Sequence, residues 1–486
     1  MSPSRTTLGL WSRLLSLCMA LAAVVSLASC DDGDTTPALV PSQQSIKHVF
    51  VITLENKDYD ETFGTTATTS SQDSYLKGLA TQGALLRQYF GTGHVSLDNY
   101  IAMMSGQPST VDTETDCFKL WSDVVDAGND TANSKVLKAG TDANGHAGGG
   151  CVYPARVKTL PNQLDEVSAS WKGYIEDMGN DLNRDGTLTC SFPTRTATLA
   201  GANPATATDG TQSAQAASTS GDVVLDQYAT RHNPFAYFHS IIDDTNYCDS
   251  HVVPLTYPDG SGKGLETDLK SIATTPNFVF ITPNLCNDGH DGDGTGATGK
   301  GCKSGAAGGL TSIDDFLKKW IPIIQASPAY QKDGLIVINF DESNAASGGY
   351  TPTFNSTYTL MTLTINLTGD ACCNQQTGPN VARPDDQVLT TIPVAYASSL
   401  GIDTSTLPPS VATIQIGMHY AGIGGDRTGA VLLSKWIKAG TVTDTPYNHY
   451  SLLKSLENIF QTNGYLGYAD DTNVTPFGSD IFTNFQ

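Results

Sequence analysis

The stretch His48-Val49-Phe50-Val51-Ile52-Thr53-Leu54-Glu55-Asn56-Lys57-Asp58-Tyr59-Asp60 decides how this chain folds. An almost unbroken apolar run stops abruptly on a carboxylate and an amide. Strands buried on both faces read this way, and they belong to parallel sheets covered by helices. In such sheets ligands collect beyond the carboxyl ends of the strands, which is where Glu55 and Asn56 stand.

The same signature returns further along. Asn277-Phe278-Val279-Phe280-Ile281 runs into Thr282-Pro283-Asn284 and then Asn287-Asp288-Gly289-His290. Leu335 to Phe340 runs into Asp341-Glu342, and Pro234 to Phe238 reads as a short strand running into His239-Ser240. Apolar runs that end in acidic, amide or imidazole groups, in alternating β/α order, predict one rim of one mainly parallel sheet and hence an α/β fold. Between them the spacing predicts a helix over Asp73 to Tyr89. A second helix opens at Ser312-Ile313-Asp314-Asp315, in the manner of a capping box with Asp for Glu, and ends near Ser327-Pro328. Ala430 to Leu433 reads as a strand and Tyr450 to Gln461 as a helix. Residues 107–222, rich in Gly, Thr, Ala, Asp and Asn, read as a long disulfide-pinned excursion, with 195–222 a low-complexity loop.

The chain has 486 residues and a formal net charge of −22, which argues against nucleic acid or an anionic membrane surface as the main partner. Arg5 and Arg13 flank an apolar segment, Leu14 to Leu27, too short to span as a mature helix, so residues 1–29 read as a signal peptide. The segment ends Leu27-Ala28-Ser29-Cys30, similar to a bacterial lipobox, in which the cysteine is lipidated and becomes the new N-terminus; an ordinary secretory signal is the alternative. Residues 30–45 would then form a tether, and 46–486 the folded domain. Of ten cysteines, Cys18 and Cys30 fall in or at the signal. The remaining even number suits an exported, disulfide-bonded protein of open connectivity. The adjacent Cys372 and Cys373 are expected to bond to two different partners.

Glu55, Asn56, Asp341 and Glu342 are hard oxygen donors suited to Mg²⁺, Ca²⁺ or Mn²⁺, or to Zn²⁺ if a histidine joins. Such carboxylates clustered without a cation would repel one another. Ser96 stands where the glycine-marked loop Gly91-Thr92-Gly93-His94-Val95 meets a helix start, a place that favours anions. It reads either as a nucleophile or as a helix N-cap. Asn99 would share its first turn and could donate to a phosphoryl oxygen. His239, His290 and His449 lie at strand or helix ends and are acid/base or structural candidates. Arg427, in Gly424-Gly425-Asp426-Arg427-Thr428-Gly429, reads equally as a phosphate clamp or a turn charge. Asp181-Leu182-Asn183-Arg184-Asp185-Gly186 matches half of an EF-hand loop, but Phe192 occupies the twelfth position, so a plain turn competes with a weak Ca²⁺ clip.

Taken together, His48 to Gly64, Gly93 to Gln107, Arg231 to Ile241, Thr282 to Asp291 and Tyr447 to Leu453 resemble, in order, the motifs of the bacterial phosphoesterase family of acid phosphatases and phospholipases C. The resemblance is closest to the secreted acid phosphatase branch. It implies an alkaline-phosphatase-like three-layer sandwich and a metal-assisted phosphomonoesterase with a phosphoserine intermediate. It implies one divalent ion held by Glu55, Asn56, Asp341, Glu342 and Asp288, and Ser96 as nucleophile with a histidine as acid. Asn99, Arg427 and Asn287 would meet the phosphate. Asp98 replaces the proline more common in this motif. The expected substrates are extracytoplasmic phosphate esters, including phosphoinositide monophosphates, for an enzyme anchored through Cys30 or secreted. No protein partner is implied. The alternatives are a phospholipase C and a non-catalytic Ca²⁺-binding lipoprotein.

Overall fold

The computed structural model describes residues 45–64, 73–212, 226–290, 309–344, 350–395, 405 and 407–484. The signal segment, the lipobox and nearly all of the tether lie outside these, as do Asp291 and Cys302. All that follows concerns the body Leu39–Gln486, which separates from Met1–Ala38.

The centre is an eight-stranded sheet. Its strands are β1 (His48–Leu54), β2 (Ala84–Leu86), β3 (Trp171–Ile175), β4 (Val252–Pro254), β5 (Phe278–Thr282), β6 (Gly334–Phe340), β7 (Ala430–Leu433) and β8 (Thr441–Thr443). They lie in the order β8-β2-β7-β6-β1-β5-β3-β4. β6, β1, β5, β3 and β4 run parallel, whereas β7 is antiparallel to both β6 and β2. β1, with every residue buried, sits near the middle.

Successive side chains of β1 leave the sheet on opposite faces, and each face has its own core. Val49 and Val51 join Leu97, Ile101, Leu452 and Leu456 from helices α2 (Ser96–Ser105) and α4 (His449–Phe460). Phe50, Ile52 and Leu54 join Leu76, Leu79, Leu317 and Ile321 from α1 (Ser74–Gln82) and α3 (Gly309–Ala326). That is helix on sheet on helix, the three layers expected. A four-stranded mixed sheet of Tyr350–Phe354, Leu360–Leu367, Asp385–Pro393 and Thr413–Tyr420 lies apart from the central one.

Several expectations change. The helix foreseen over Asp73 to Tyr89 stops at Gln82, because Ala84–Leu86 pairs with β7 and β8 as a strand. Pro234–Tyr237 is a 3₁₀ turn, not a strand, and the fourth strand of the parallel rim is β3, which ends in Glu176-Asp177. β3 lies inside the segment read as an excursion; that segment is pinned by Cys117–Cys151 and Cys190–Cys248, yet it contributes a strand to the central sheet. The capping box foreseen at Ser312 and Asp315 does not form, because Ser312 lies inside a helix that already runs from Gly309; Asp314, beside them, caps a different helix. Its carboxylate accepts the backbone N–H groups of Tyr75 and Leu76 at 2.9 and 3.0 Å, capping α1 from a neighbouring element. Cys372 and Cys373 bond to each other rather than to separate partners. Cys117, Cys151, Cys190 and Cys248 pair among themselves and Cys286 is disulfide-bonded too, which leaves the adjacent thiols each other. The EF-hand-like segment is a single helical turn, Leu182–Asp185, capped by Asp181 and closed by Gly186 at φ 78°, as the turn reading has it.

Candidate active site

Parallel pairing fixes the site. Leu54 lies opposite Phe340, so Glu55 and Asp341 leave the sheet side by side. The Asp341 N–H donates to Leu54 O at 2.8 Å, and the Asn56 N–H donates to Asp341 Oδ1 at 3.0 Å. From the loop that follows β5 on the other side, Asp288 O accepts the Glu55 N–H at 2.9 Å. Asn56 is held at φ 54°, a left-handed conformation that asparagine tolerates better than most residues.

Ser96 arrives from the far side. The Ser96 hydroxyl donates to Glu55 Oε2 at 2.7 Å, and Asn56 Nδ2 donates to the same oxygen at 3.0 Å. Tyr100, one turn along α2, donates its hydroxyl to Glu55 Oε1 at 2.5 Å. Ser96 is the first helical residue and not the cap: the cap position is Val95, whose φ of 75° is unusual for a β-branched side chain. Such strain persists where the surroundings over-determine it. Here Glu342 does so, with Oε1 accepting the Val95 N–H at 3.1 Å and Oε2 bound to His94 Nδ1. Gly91 and Gly425 let the backbones cross. A Cβ at Gly91 would lie 2.7 Å from Asp341 O, and one at Gly425 would lie 2.2 Å from Gly93 O.

The electrostatics follow from burial. Glu55 and Asp341 are both completely buried. Burial pushes the Glu55 carboxyl well up, and the Asp341 charge adds to it; Asp341 is pushed well up by burial and by Glu342. Asp341 Oδ2 is buried without a hydrogen-bond donor among the described residues. Two abutting carboxylates, one with an unmet oxygen, are what a hard divalent ion would stabilise, so Glu55 and Asp341, with Asn56 beside them, fit one. Asp288 lies across His232, its Oδ2 3.6 Å from His232 Nδ1, while His232 Nε2 is 3.4 Å from Glu55 Oε1. Glu342 has both oxygens engaged, by His94 and by the Val95 N–H.

Other candidates land differently. His449 is buried, and burial brings it down to about 4. Its Nε2 donates to Asp341 O at 2.5 Å while Nδ1 accepts from the Tyr89 hydroxyl at 3.0 Å. Both ring nitrogens are thus engaged, one of them on the backbone of a site carboxylate. His239 pairs at the surface with Asp123 and Asp243, at 3.2 and 2.7 Å, and not with the strand-end carboxylates. Asn99 braces the loop: its Oδ1 accepts the N–H groups of Thr92 and Gly93 and its Nδ2 donates to Gly93 O and Val95 O, which takes its amide away from any phosphate. Asn287 donates to Glu176 Oε2 at 3.0 Å, at the end of β3. Arg427 lies over the Tyr59 ring and donates to Asp60 at 3.0 Å, lining a 240 Å³ cleft with Asp58, Asp370 and Asp426. His290 is exposed, with its N–H on Asp288 Oδ1 at 2.9 Å.

Sequence reasoning missed His94, Tyr100, His232 and Asp426. His94 bridges Glu342 to Asp426 Oδ2, the latter at 2.9 Å; burial alone would lower its pKa, but the two carboxylates raise it to about 10. Its place two residues before Ser96 was a usable signal. His232 stacks on Tyr100, rings 5.4 Å apart, and burial holds it well below its usual value. It follows no strand, and its place in the motif Arg231 to Ile241 was the signal available. Away from the rim, Asp112, Asp142 and His146 bring three ligating atoms within 4.8 Å of one another. Their groups already bond one another and Gly150 N and Asn144 Nδ2, at 2.6 and 2.8 Å for the last two.

The profile of the phosphoesterase family matches residues 68–463 of this chain. A phosphate-repressible acid phosphatase of Penicillium chrysogenum is 25% identical over 61% of this chain and 48% of its own length. An acid phosphatase of Aspergillus fumigatus is 22% identical over 61% and 45%. The chain thus spans about half the length of these relatives. A crystal structure of an alkaline phosphatase superfamily protein from Vibrio parahaemolyticus aligns over 92% of this chain and 75% of that one, at 11% identity and a TM-score of 0.38.

Proposed function

The chain belongs to the phosphoesterase family, and on that premise we propose that it is a phosphomonoesterase of acid phosphatase type working through a phosphoserine at Ser96. The observation that carries this reading is the 2.7 Å bond from the Ser96 hydroxyl to Glu55, itself beside Asp341. Three segments distant in sequence thereby meet around the Glu55 carboxylate.

A divalent cation on Glu55, Asn56 and Asp341 would supply positive charge beside the attacking oxygen and the phosphoryl group. The chain's own groups do the rest. Glu55 accepts the Ser96 hydroxyl hydrogen bond and aims its oxygen. His94, protonated between Glu342 and Asp426, fixes the strained Val95 from which α2 starts, so Ser96 is presented without searching rotamers. His449 holds the Asp341 main chain in place. His290, exposed and held next to buried Asp288 by its backbone N–H, is the imidazole assigned to protonate the departing alkoxide. Water then hydrolyses the phosphoserine.

The test is turnover of p-nitrophenyl phosphate with each of Ca²⁺, Mg²⁺, Mn²⁺ and Zn²⁺, combined with acid quenching and peptide mapping. Phosphate on the peptide containing Ser96 is expected. Phosphate on another residue, or no turnover with any ion, overturns the reading. The named relatives support monoesters over diesters. Within that class we take extracytoplasmic phosphate esters, phosphoinositide monophosphates among them, as the substrates, and Cys30 as a lipid anchor. Phosphocholine release from phosphatidylcholine exceeding phosphate release from monoesters would favour the phospholipase instead. Loss of palmitate labelling in Cys30→Ala checks the anchor.

A further inference from the structure

Asp98 has no part in the chemistry above, yet it is 3% exposed and lies on the same helix as Ser96. It is also where this chain departs from the motif it resembles. Its Oδ2 accepts from the Ser109 hydroxyl at 2.7 Å, while its Oδ1 is buried with no hydrogen-bond partner among the described residues. Asp98 lines a small cavity of about 20 Å³ together with Thr92, Glu114, Gln375 and Arg383. Two of these neighbours repeat the same condition. Glu114 is completely buried, with Oε1 on Arg383 and Oε2 unpartnered. Gln375 donates from Nε2 to Thr92 O and Ile423 O at 2.6 and 2.8 Å, which fixes the amide's orientation and leaves its buried Oε1 without a donor.

Three residues that each carry an unmet buried acceptor therefore line one cavity, two of them acidic. Arg383 is shared between Glu114 and Asp385, and its guanidinium lies 4.0 Å over the Tyr420 ring. Among the described residues Arg383 is the one Lys or Arg lining the cavity, and its ion pairs go to Glu114 and Asp385. The volume admits one occupant of about the size of a water molecule. A water has only two protons to give to three acceptors and leaves the carboxylate repulsion in place. A monatomic cation satisfies all three and offsets the charge.

We propose that Asp98 Oδ1, Glu114 Oε2 and Gln375 Oε1 form a second cation site, separate from the strand-end carboxylates, for a hard divalent ion of the Ca²⁺ class. Its consequence is positional. Gln375 already grips the carbonyl of Thr92, on the loop that Asn99 braces and from which Ser96 projects. An ion shared by Asp98 and Gln375 ties that outer segment to the helix of the nucleophile.

Calcium titration of the chelator-stripped full chain, followed by calorimetry and by thermal melting, tests this without any turnover. The isosteric variants Asp98→Asn and Glu114→Gln are each expected to bind one Ca²⁺ fewer than the unaltered protein. In Asp341→Asn, where the strand-end site is impaired, Ca²⁺ at about ten times its dissociation constant should still raise the melting midpoint by about 1–2 °C, and adding Asp98→Asn should abolish that rise. Equal Ca²⁺ stoichiometry in the unaltered protein and in both Asp98→Asn and Glu114→Gln overturns the proposal, as does occupancy of the cavity by water alone. Those outcomes leave the phosphoserine reading standing, because that rests on the peptide map at Ser96.

Discussion

Ser96, Glu55 and Asp341 have separable roles that single substitutions can expose. Removing the hydroxyl in Ser96→Ala leaves Glu55 hydrogen-bonded by Tyr100 and Asn56, so the fold should persist while kcat falls by about 10⁴-fold or more. Unchanged turnover in steady-state assays would exclude Ser96 as nucleophile. Val95 offers a test of strain. In Val95→Gly the φ of 75° becomes unstrained, so stability should rise by about 1 kcal/mol, while the looser helix start lowers kcat. Denaturant melts and kinetics on one preparation measure both. His239 supplies a pH test away from the site. Its hydrogen bonds to Asp123 and Asp243, working against burial, raise its pKa to about 9. The folded state therefore binds the proton more tightly than the unfolded chain, whose histidine titrates near ~6.5. The ion pairs contribute fully below that value and are lost as pH rises through 9. Because both aspartates are largely exposed, the effect is below about 1 kcal/mol, seen as a stability difference between native and His239→Gln at pH 6 that vanishes by pH 10.

At the scale of elements, α1 has a cap that its own residues do not provide. Its N-cap, Asp73, makes no side-chain capping bond, and Asp314 of α3 accepts two of the free N–H groups instead. Asp314→Ala should cost about 1–2 kcal/mol, measured by urea denaturation, with turnover nearly unchanged because both helices lie on the sheet face away from α2. A stability change within a few tenths of a kcal/mol would mean that water replaces the carboxylate. β2 illustrates the opposite dependence. Ala84-Leu85-Leu86 suits a helix as well as a strand, and it becomes a strand because β7 and β8 offer their edges to it.

For the whole molecule, the disulfides differ in what they constrain. Cys190–Cys248 closes a separation of 58 residues and Cys372–Cys373 a separation of one. On chain-entropy grounds the long closure stabilises by about 3–4 kcal/mol and the adjacent pair by very little. Removing Cys190 and Cys248 together should therefore lower the melting midpoint by several degrees, whereas replacing Cys372 and Cys373 together should barely move it. Equal losses in scanning calorimetry would contradict this order. Among the described residues no helix is long and apolar enough to cross a membrane.

The sequence alone determined the parallel core and its chemical rim, because a strand buried on both faces must be apolar throughout and must shed its polar residues at its end. That physics made Glu55, Asn56, Asp341 and Glu342 legible as one group. Tertiary structure decided which groups face one another. Only the fold gives His449 the Tyr89 hydroxyl and the Asp341 carbonyl as partners, and gives Glu342 to His94. His232 and Asp426 join the site from turns with no periodic signal, since a contact across the molecule leaves no trace in local spacing. Local pattern reports burial; partnership is settled by topology.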